Sequence, residues 1–284
     1  MYKKSNISNS DEFAHFDNLK ITHKNPKEDI WKELSNSIEE NSLQKKPKVL
    51  HIQWFKLAVA AIFLIGMGLS FMRFYSVEIS TSRGELVEHI LPDGSHIQLN
   101  AESSINYNPY WWRFNRELEL EGEAFFEVEK GNKFQVNSTN GNTQVLGTSF
   151  NIYNRNEDYS VYCQTGKVKV SHHNSTQILA PGEFSLLAEN ELVKTSIPEN
   201  EAISWKLNKF VYNTTGLDKV FDDFERHYNV AIEVKSKDIY NLNFTGIFDR
   251  SMSAEEAIEM MCLTFDLDYK KSTNFTYIIQ KQSH

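Results

Sequence analysis

The sequence predicts a chain in three parts: one membrane span, an all-β domain of sandwich or solenoid type, and a small α+β domain with two βαβ-like units. Three observations carry this. Residues 57–72 form a run of sixteen residues with no charge and one polar side chain, Ser70. Between residues 85 and 170 apolar residues recur with a period of two. After residue 205 a strand–helix–strand pattern occurs twice within about seventy residues.

The apolar run is flanked by Trp54-Phe55 and Phe74-Tyr75, with Lys56 and Arg73 inside the aromatic residues. A helix from Leu57 to Tyr75 spans about 28 Å, near the ~30 Å of a hydrocarbon core. Aromatic rings suit the interface, and long cationic side chains reach the headgroups. Lys45, Lys46, Lys48 and Lys56 cluster before the span, whereas Arg73 and Arg83 beyond it alternate with Glu78 and Glu85. The positive-inside rule places the N-terminus in the cytoplasm and the rest outside. More than fifty mostly polar residues precede the run, so the reading is an uncleaved signal anchor in preference to a cleaved signal peptide.

The boundaries follow: residues 1–53 before the span, 54–75 the span, 76–204 the β domain and 205–284 the α+β domain. The net charge of −8 divides into +1 for residues 1–53, +2 for Lys56 and Arg73, and −11 for residues 76–284. Such acidity offers nucleic acid no basic footprint. Cys163 and Cys262 fit no metal or redox motif and read as buried apolar thiols in preference to a disulfide.

Within residues 1–53, Asn25-Pro26 marks a helix start, and Ile30, Trp31, Leu34 and Ile38 repeat at helical spacing. That face has nothing nearby in sequence to pack on. It suits a partner's groove, or alternatively the lipid surface.

Beyond the span, Glu85–Ile90 and His96–Asn100 flank the turn Leu91-Pro-Asp-Gly-Ser95, in which proline fixes φ and glycine supplies a positive φ. Further strands are expected at 116–120, 121–128, 133–136, 143–146, 149–153, 159–163 and 167–170. Ala180–Glu183 and Glu189–Glu191 read as turns. Next come a strand at Phe210–Tyr212 and a helix capped by Thr215, burying Leu217, Val220, Phe221, Phe224 and Tyr228. A strand at Val230–Val234 follows, then another at Phe244–Phe248. Ser253-x-x-Glu256 is a capping box for a second helix burying Ala257, Ile258, Met261, Cys262 and Phe265. Strands at Leu267–Lys270 and Phe275–Ile279 complete the module.

The residues GELVEHILPDGSHIQLNAESSINYNP, RELELEGEAFFEV, FQV, VLGTSFNIY and GKVKV, in this order across residues 84–170, resemble the FecR family of membrane-anchored anti-sigma factors, the Bacteroidetes type most closely. Residues 205–280 are similar to its C-terminal module and to the short N-terminal domain of secretins and TonB-dependent transporters. The cytoplasmic part matches chiefly in DIWKEL around Trp31. The resemblance implies that residues 1–53 bind an extracytoplasmic-function sigma factor, through Ile30, Trp31, Leu34 and Ile38. It implies that residues 205–284 meet the signalling domain of an outer-membrane TonB-dependent transporter, and that the protein lies in a bacterial inner membrane.

Motifs for enzymatic chemistry are missing from the sequence: HExxH, GxSxG and a Walker loop do not occur. No metal or cofactor is expected. The adjacent His172 and His173 would project oppositely on a strand. His89 and His96 flank a turn and read as surface histidines. Asp218, Asp222, Asp223 and Glu225 read as the solvated face of a helix. Some FecR-like proteins cleave themselves at a Gly-Thr bond, which Gly147-Thr148 matches; the ordinary reading is a turn followed by a strand. Tyr107, Tyr110, Trp111, Trp112 and Phe114 read as filling the β core or its seam with the C-terminal module. The alternative is a sugar-binding platform, which would make the chain a membrane-tethered periplasmic glycan-binding protein.

Overall fold

The computed structural model describes residues 26–43, 52–273 and 275–282. Lys45, Lys46, Lys48 and Asn25 lie outside the described residues. The chain divides into two units, the first ending at Phe63 and the second beginning at Leu64.

In the first unit, helix α1 runs over Lys27–Leu43. Glu28 and Asp29 stand in its first turn, where carboxylates complement the positive helix end. Helix α2 covers Ile52–Phe74. Its stretch Trp54–Phe74, 21 residues none of which is buried, is long and apolar enough to cross a membrane.

Two β layers follow, joined into one thirteen-stranded sheet. The first layer holds β1 (Val77–Ser80), β4 (Ser104–Tyr107), the start of β5 (Arg116–Glu127), β6 (Phe134–Ser138), β7 (Gly141–Val145), β10 (Val168–His172) and β11 (Ser175–Leu179). The second holds β2 (Val87–Ile90), β3 (His96–Leu99), the end of β5, β8 (Ser149–Arg155), β9 (Asp158–Cys163), β12 (Glu183–Ala188) and β13 (Glu191–Ser196). The strands expected at 116–120 and 121–128 are thus one strand that belongs to both layers. It bends at Gly122, whose φ of +91° favours glycine, and where a Cβ would stand 2.4 Å from Ser103 Oγ.

From the end of β5 the chain returns to the first layer, and β6 pairs with β5 in parallel, Arg116 opposite Phe134. On the far side, side chains link β11 to β12 and β13. Gln177 Nε2 donates to Leu192 O, Ser185 Oγ to Gln177 Oε1 (3.1 Å) and Lys194 Nζ to Ile178 O (3.0 Å). The result is a nearly closed barrel. Alternate residues of both layers fill it, including Leu99, Ile105, Leu118, Phe126, Phe134, Phe150, Ile152 and Val170. Phe126 and Phe150 stack at 5.0 Å. The turn at Pro92–Gly94 forms as expected, with Leu91 N donating to Ser95 O at 2.9 Å. Arg116 clamps it by pairing with Asp93 while donating to Glu129 O (2.9 Å) and Asn132 O (2.8 Å).

A short helix α3 (Glu199–Ala202) and a 3₁₀ turn at Ser204–Leu207 lead into the α+β region. It comprises β14 (Lys209–Gly216), α4 (Leu217–Tyr228), β15 (Ala231–Val234), β16 (Asn243–Asp249), α5 (Ala254–Thr264), β17 (Leu267–Thr273) and β18 (Thr276–Lys281). The first strands of the two units, β14 and β16, pair antiparallel. The second strands, β15 and β17, flank β18, parallel and antiparallel respectively. Both helices bury the expected faces, except that Tyr228 and Phe265 are partly covered. Ser253 and Glu256 form the reciprocal capping box. Thr215 does not cap α4. It stays in β14 opposite Phe244, and Gly216 takes the cap position without a side-chain bond.

Candidate functional site

On α1, residues 30, 34 and 38 follow at intervals of four and Trp31 lies three before Leu34, so the four side chains share one side of the helix. All are exposed, Trp31 by 73% and Ile38 by 62%. A tryptophan so exposed beside three aliphatic side chains is apolar area available to a partner.

Gly147 and Thr148 lie between β7 and β8. Gly147 has φ +152°, and a Cβ there would come 2.8 Å from Lys130 Cα. Thr148 is buried; its hydroxyl donates to Lys167 O at 3.2 Å, and its carbonyl accepts from Val128 N at 3.0 Å. Gly166 packs against the same bond: a Cβ on it would stand 2.9 Å from Thr148 Oγ1 and 3.1 Å from Gly147 O.

The aromatic cluster divides. Tyr107 and Trp112 enter the barrel, where Trp112 meets Tyr107 and Phe134 edge-on at 5.3 and 5.7 Å. Tyr110 and Phe114 face outward, 49% and 74% exposed. This outward half does not lie at a seam with the C-terminal module. Asn108 draws the loop to the end of α2 by donating to Met72 O and Arg73 O, both at 2.9 Å.

His89 is half-buried rather than superficial, and its Nε2 bonds Tyr107 Oη at 2.8 Å. His172 and His173 do not project oppositely, because His173 leaves the strand with φ +44° and their rings sit 4.2 Å apart. Among the described residues no three His, Cys, Asp or Glu side chains group so as to hold a metal. Both thiols are free and buried. Burial, with Glu183 nearby, pushes the Cys163 thiol up to about 11; burial, with Asp268, pushes Cys262 up to about 12.

A polar seam joins the barrel to the α+β region, and the sequence did not reveal it. The outward phase of β5 places Glu123 and Phe125 there. Phe125 is covered by Ile203 and Trp205, whose Nε1 donates to Asn151 Oδ1 at 3.2 Å. Glu123 accepts from Asn100 Nδ2 (2.7 Å) and Asn151 Nδ2 (2.9 Å), yet desolvation raises its pKa. Gly84 N donates to Arg226 O at 2.7 Å, and Lys219 pairs with Asp158 at 2.7 Å. Asp223 and Glu225 are not simply solvated. Asp223 pairs with Arg226 at 2.6 Å, and Glu225 accepts from Ile232 N at 2.6 Å and approaches Arg83 at 3.8 Å. A cleft of about 390 Å³ opens beside these groups, bounded by Glu123, Tyr153, Asp158, Lys219, Asp223 and His227. Only Phe125, an apolar residue in the outward phase of β5, hinted at a second covered face.

The two halves of this seam match two family models, "FecR protein" over residues 77–169 and "FecR, C-terminal" over residues 209–279. The chain belongs to the FecR family. Two crystal structures from Parabacteroides distasonis, each described as a candidate anti-sigma factor, are similar to it. One, at 2.50 Å resolution, has 28% identity and a TM-score of 0.68, covering 74% of this chain and all of its own. The other, at 1.65 Å, has 29% identity and a TM-score of 0.67, covering 73% of this chain and all of its own. No curated protein matches. The FecR model ends within β10, so β11, β12 and β13 complete the barrel beyond the matched residues.

Proposed function

We propose that this FecR-family chain is a single-pass regulator of the bacterial inner membrane that restrains a cytoplasmic extracytoplasmic-function sigma factor. Residues 1–53 form the sigma-binding segment, 54–75 the span, and 76–204 and 205–284 the two periplasmic domains. The lysine-rich approach to α2 supports this orientation. The observation that carries the reading is the exposed face of Ile30, Trp31, Leu34 and Ile38 on a chain that also holds a helix long enough to span a bilayer and both FecR domains. The α+β region receives the signal from the periplasmic domain of a TonB-dependent transporter, a strand of which adds to a free sheet edge. The test is co-purification of the full chain with the extracytoplasmic-function sigma factors of its native host. The parent chain should retain sigma and the Trp31→Ala, Leu34→Ala double variant should lose it. Equal retention by both would sink the assignment of that face.

The family resemblance and the crowding around Gly147-Thr148 support self-cleavage there. Thr148 Oγ1 would attack the Gly147 carbonyl carbon and its proton would pass to the Thr148 nitrogen. The resulting ester is opened by water to a Gly147 carboxylate and a free Thr148. Two fragments on a denaturing gel, lost in Thr148→Ala, are expected; one intact band from the native host overturns the proposal.

A further inference from the structure

The loop between β4 and β5 is built with Trp112 inside, Trp111 half-buried, and Tyr110 and Phe114 outside. Trp112 is buried, held between Tyr107 and Phe134. The loop closes on itself through Asn108 Oδ1 accepting from Trp111 N (2.9 Å) and Trp111 O accepting from Phe114 N (2.9 Å) and Asn115 N (3.1 Å). Trp111 and Phe114 pack with centroids 5.0 Å apart. The outer face therefore presents Tyr110, Trp111 and Phe114 with the exposed Arg113 among them.

The same loop is tied to the end of α2. The last carbonyls of a helix lack intrahelical partners, and Asn108 Nδ2 supplies one donor to Met72 O and Arg73 O. Tyr110 meets Tyr75 at 5.2 Å, and the Arg73 guanidinium lies 5.6 Å from the Trp111 ring and 5.9 Å from Phe74. Phe74, 80% exposed, and Tyr75 continue the aromatic surface of the loop. Amphipathic rings and arginine are the residues that settle at the level of lipid headgroups.

We propose that Tyr110, Trp111, Arg113 and Phe114 form a foot that seats the β domain in the bilayer leaflet at the C-terminal end of α2. The inference rests on the reading of α2 as a span. Its occupant is the lipid interface, because the loop is bonded to the last turn of that helix and cannot sit at another depth. The foot limits the tilt of the barrel over the membrane, so the domain stands at a fixed height and angle instead of swinging on residues 75–76.

Nitroxide labels placed singly at Met67→Cys, Phe114→Cys and Ile178→Cys in the full chain, in lipid nanodiscs, test this; Cys163 and Cys262 are buried and stay unlabelled. Power saturation reads the accessibility of each label to oxygen and to a water-soluble nickel complex. The oxygen-to-nickel ratio at 114 should exceed that at 178, an exposed site on β11, several-fold, and that at 67 should be higher still. A ratio at 114 equal to that at 178, with 67 in lipid, overturns the foot and leaves the span standing. A water-like ratio at 67 overturns the span and the foot together. Spin–spin broadening at 114 with a water-like ratio overturns the foot in favour of a contact between two copies.

Discussion

Acidifying the protein from pH 7 towards pH 3 is expected to loosen the α+β region through His227. The ring lies edge-on to Phe210 at 4.5 Å, and its Nδ1 has no hydrogen-bond partner among the described residues. Burial, then the positive charges of Arg250, Arg226 and Arg155, push its pKa down to about 3. An unfolded histidine titrates near 6.5. Below that pH the unfolded chain binds a proton that the folded chain refuses, so stability falls as pH falls, by about 1.4 kcal/mol per pH unit. The loss levels off near pH 3 and totals up to about 5 kcal/mol. Glu123 acts with the opposite sign: its raised pKa lets the folded state take up a proton first, which returns stability on acidification. Comparing the parent chain with His227→Gln cancels the Glu123 contribution. Urea unfolding in detergent micelles, followed by circular dichroism from pH 7 to 4, should show a slope shallower in the variant by about 1.4 kcal/mol per pH unit. Equal slopes, or a resonance of His227 titrating near 6.5, would refute the reasoning.

Three other outcomes follow from named contacts. Gly122→Val sets a branched side chain against Ser103 at a positive φ and is expected to cost the barrel about 2–5 kcal/mol, read as a lowered urea midpoint. Ser253→Ala removes the hydroxyl that accepts from Glu256 N at 3.2 Å and should cost about 1 kcal/mol, with hydrogen exchange speeding first at the start of α5. Cys163 and Cys262 should resist a thiol reagent in the native chain and both react in denaturant; rapid native labelling of either would contradict its burial.

Local chemistry was legible in the sequence where a short stretch determines the structure. The Pro92–Gly94 turn, the Ser253–Glu256 capping box and the faces of α4 and α5 depend on neighbours within one or two turns. Strands with strong alternation, such as β8 and β9, were equally plain. The weakly patterned β1, β4, β11, β12 and β13 were not legible as strands; Ser104-Ile-Asn-Tyr107, for one, gains its burial only by lying between β1 and β5. The joining of two layers through β5 was also hidden, because period-two patterning records which face is covered and not which strand covers it. The seam escaped for a related reason. Glu123, Trp205 and Arg226 come together from positions tens of residues apart, and each alone reads as an ordinary surface or core residue. Thr215 misled because a hydroxyl before a helix is a good cap by composition, while the ladder with β16 held it in the strand.

The weave of the barrel bears on what a break between Gly147 and Thr148 would mean mechanically. The bond joins β7 to β8, yet β8 lies on β5, with Ser149 opposite Glu127 and Asn154 opposite Gly122, and β10 lies on β7. The pieces on either side of a cut are therefore laced together across both layers, and hydrolysis by itself frees neither. Their parting requires traction. A load applied through the C-terminal piece would shear the β5–β8 and β7–β10 ladders, whereas an uncut chain would carry the same load along its covalent backbone to α2. Cutting thus converts a tether into a fuse whose rating is set by hydrogen-bonded strands.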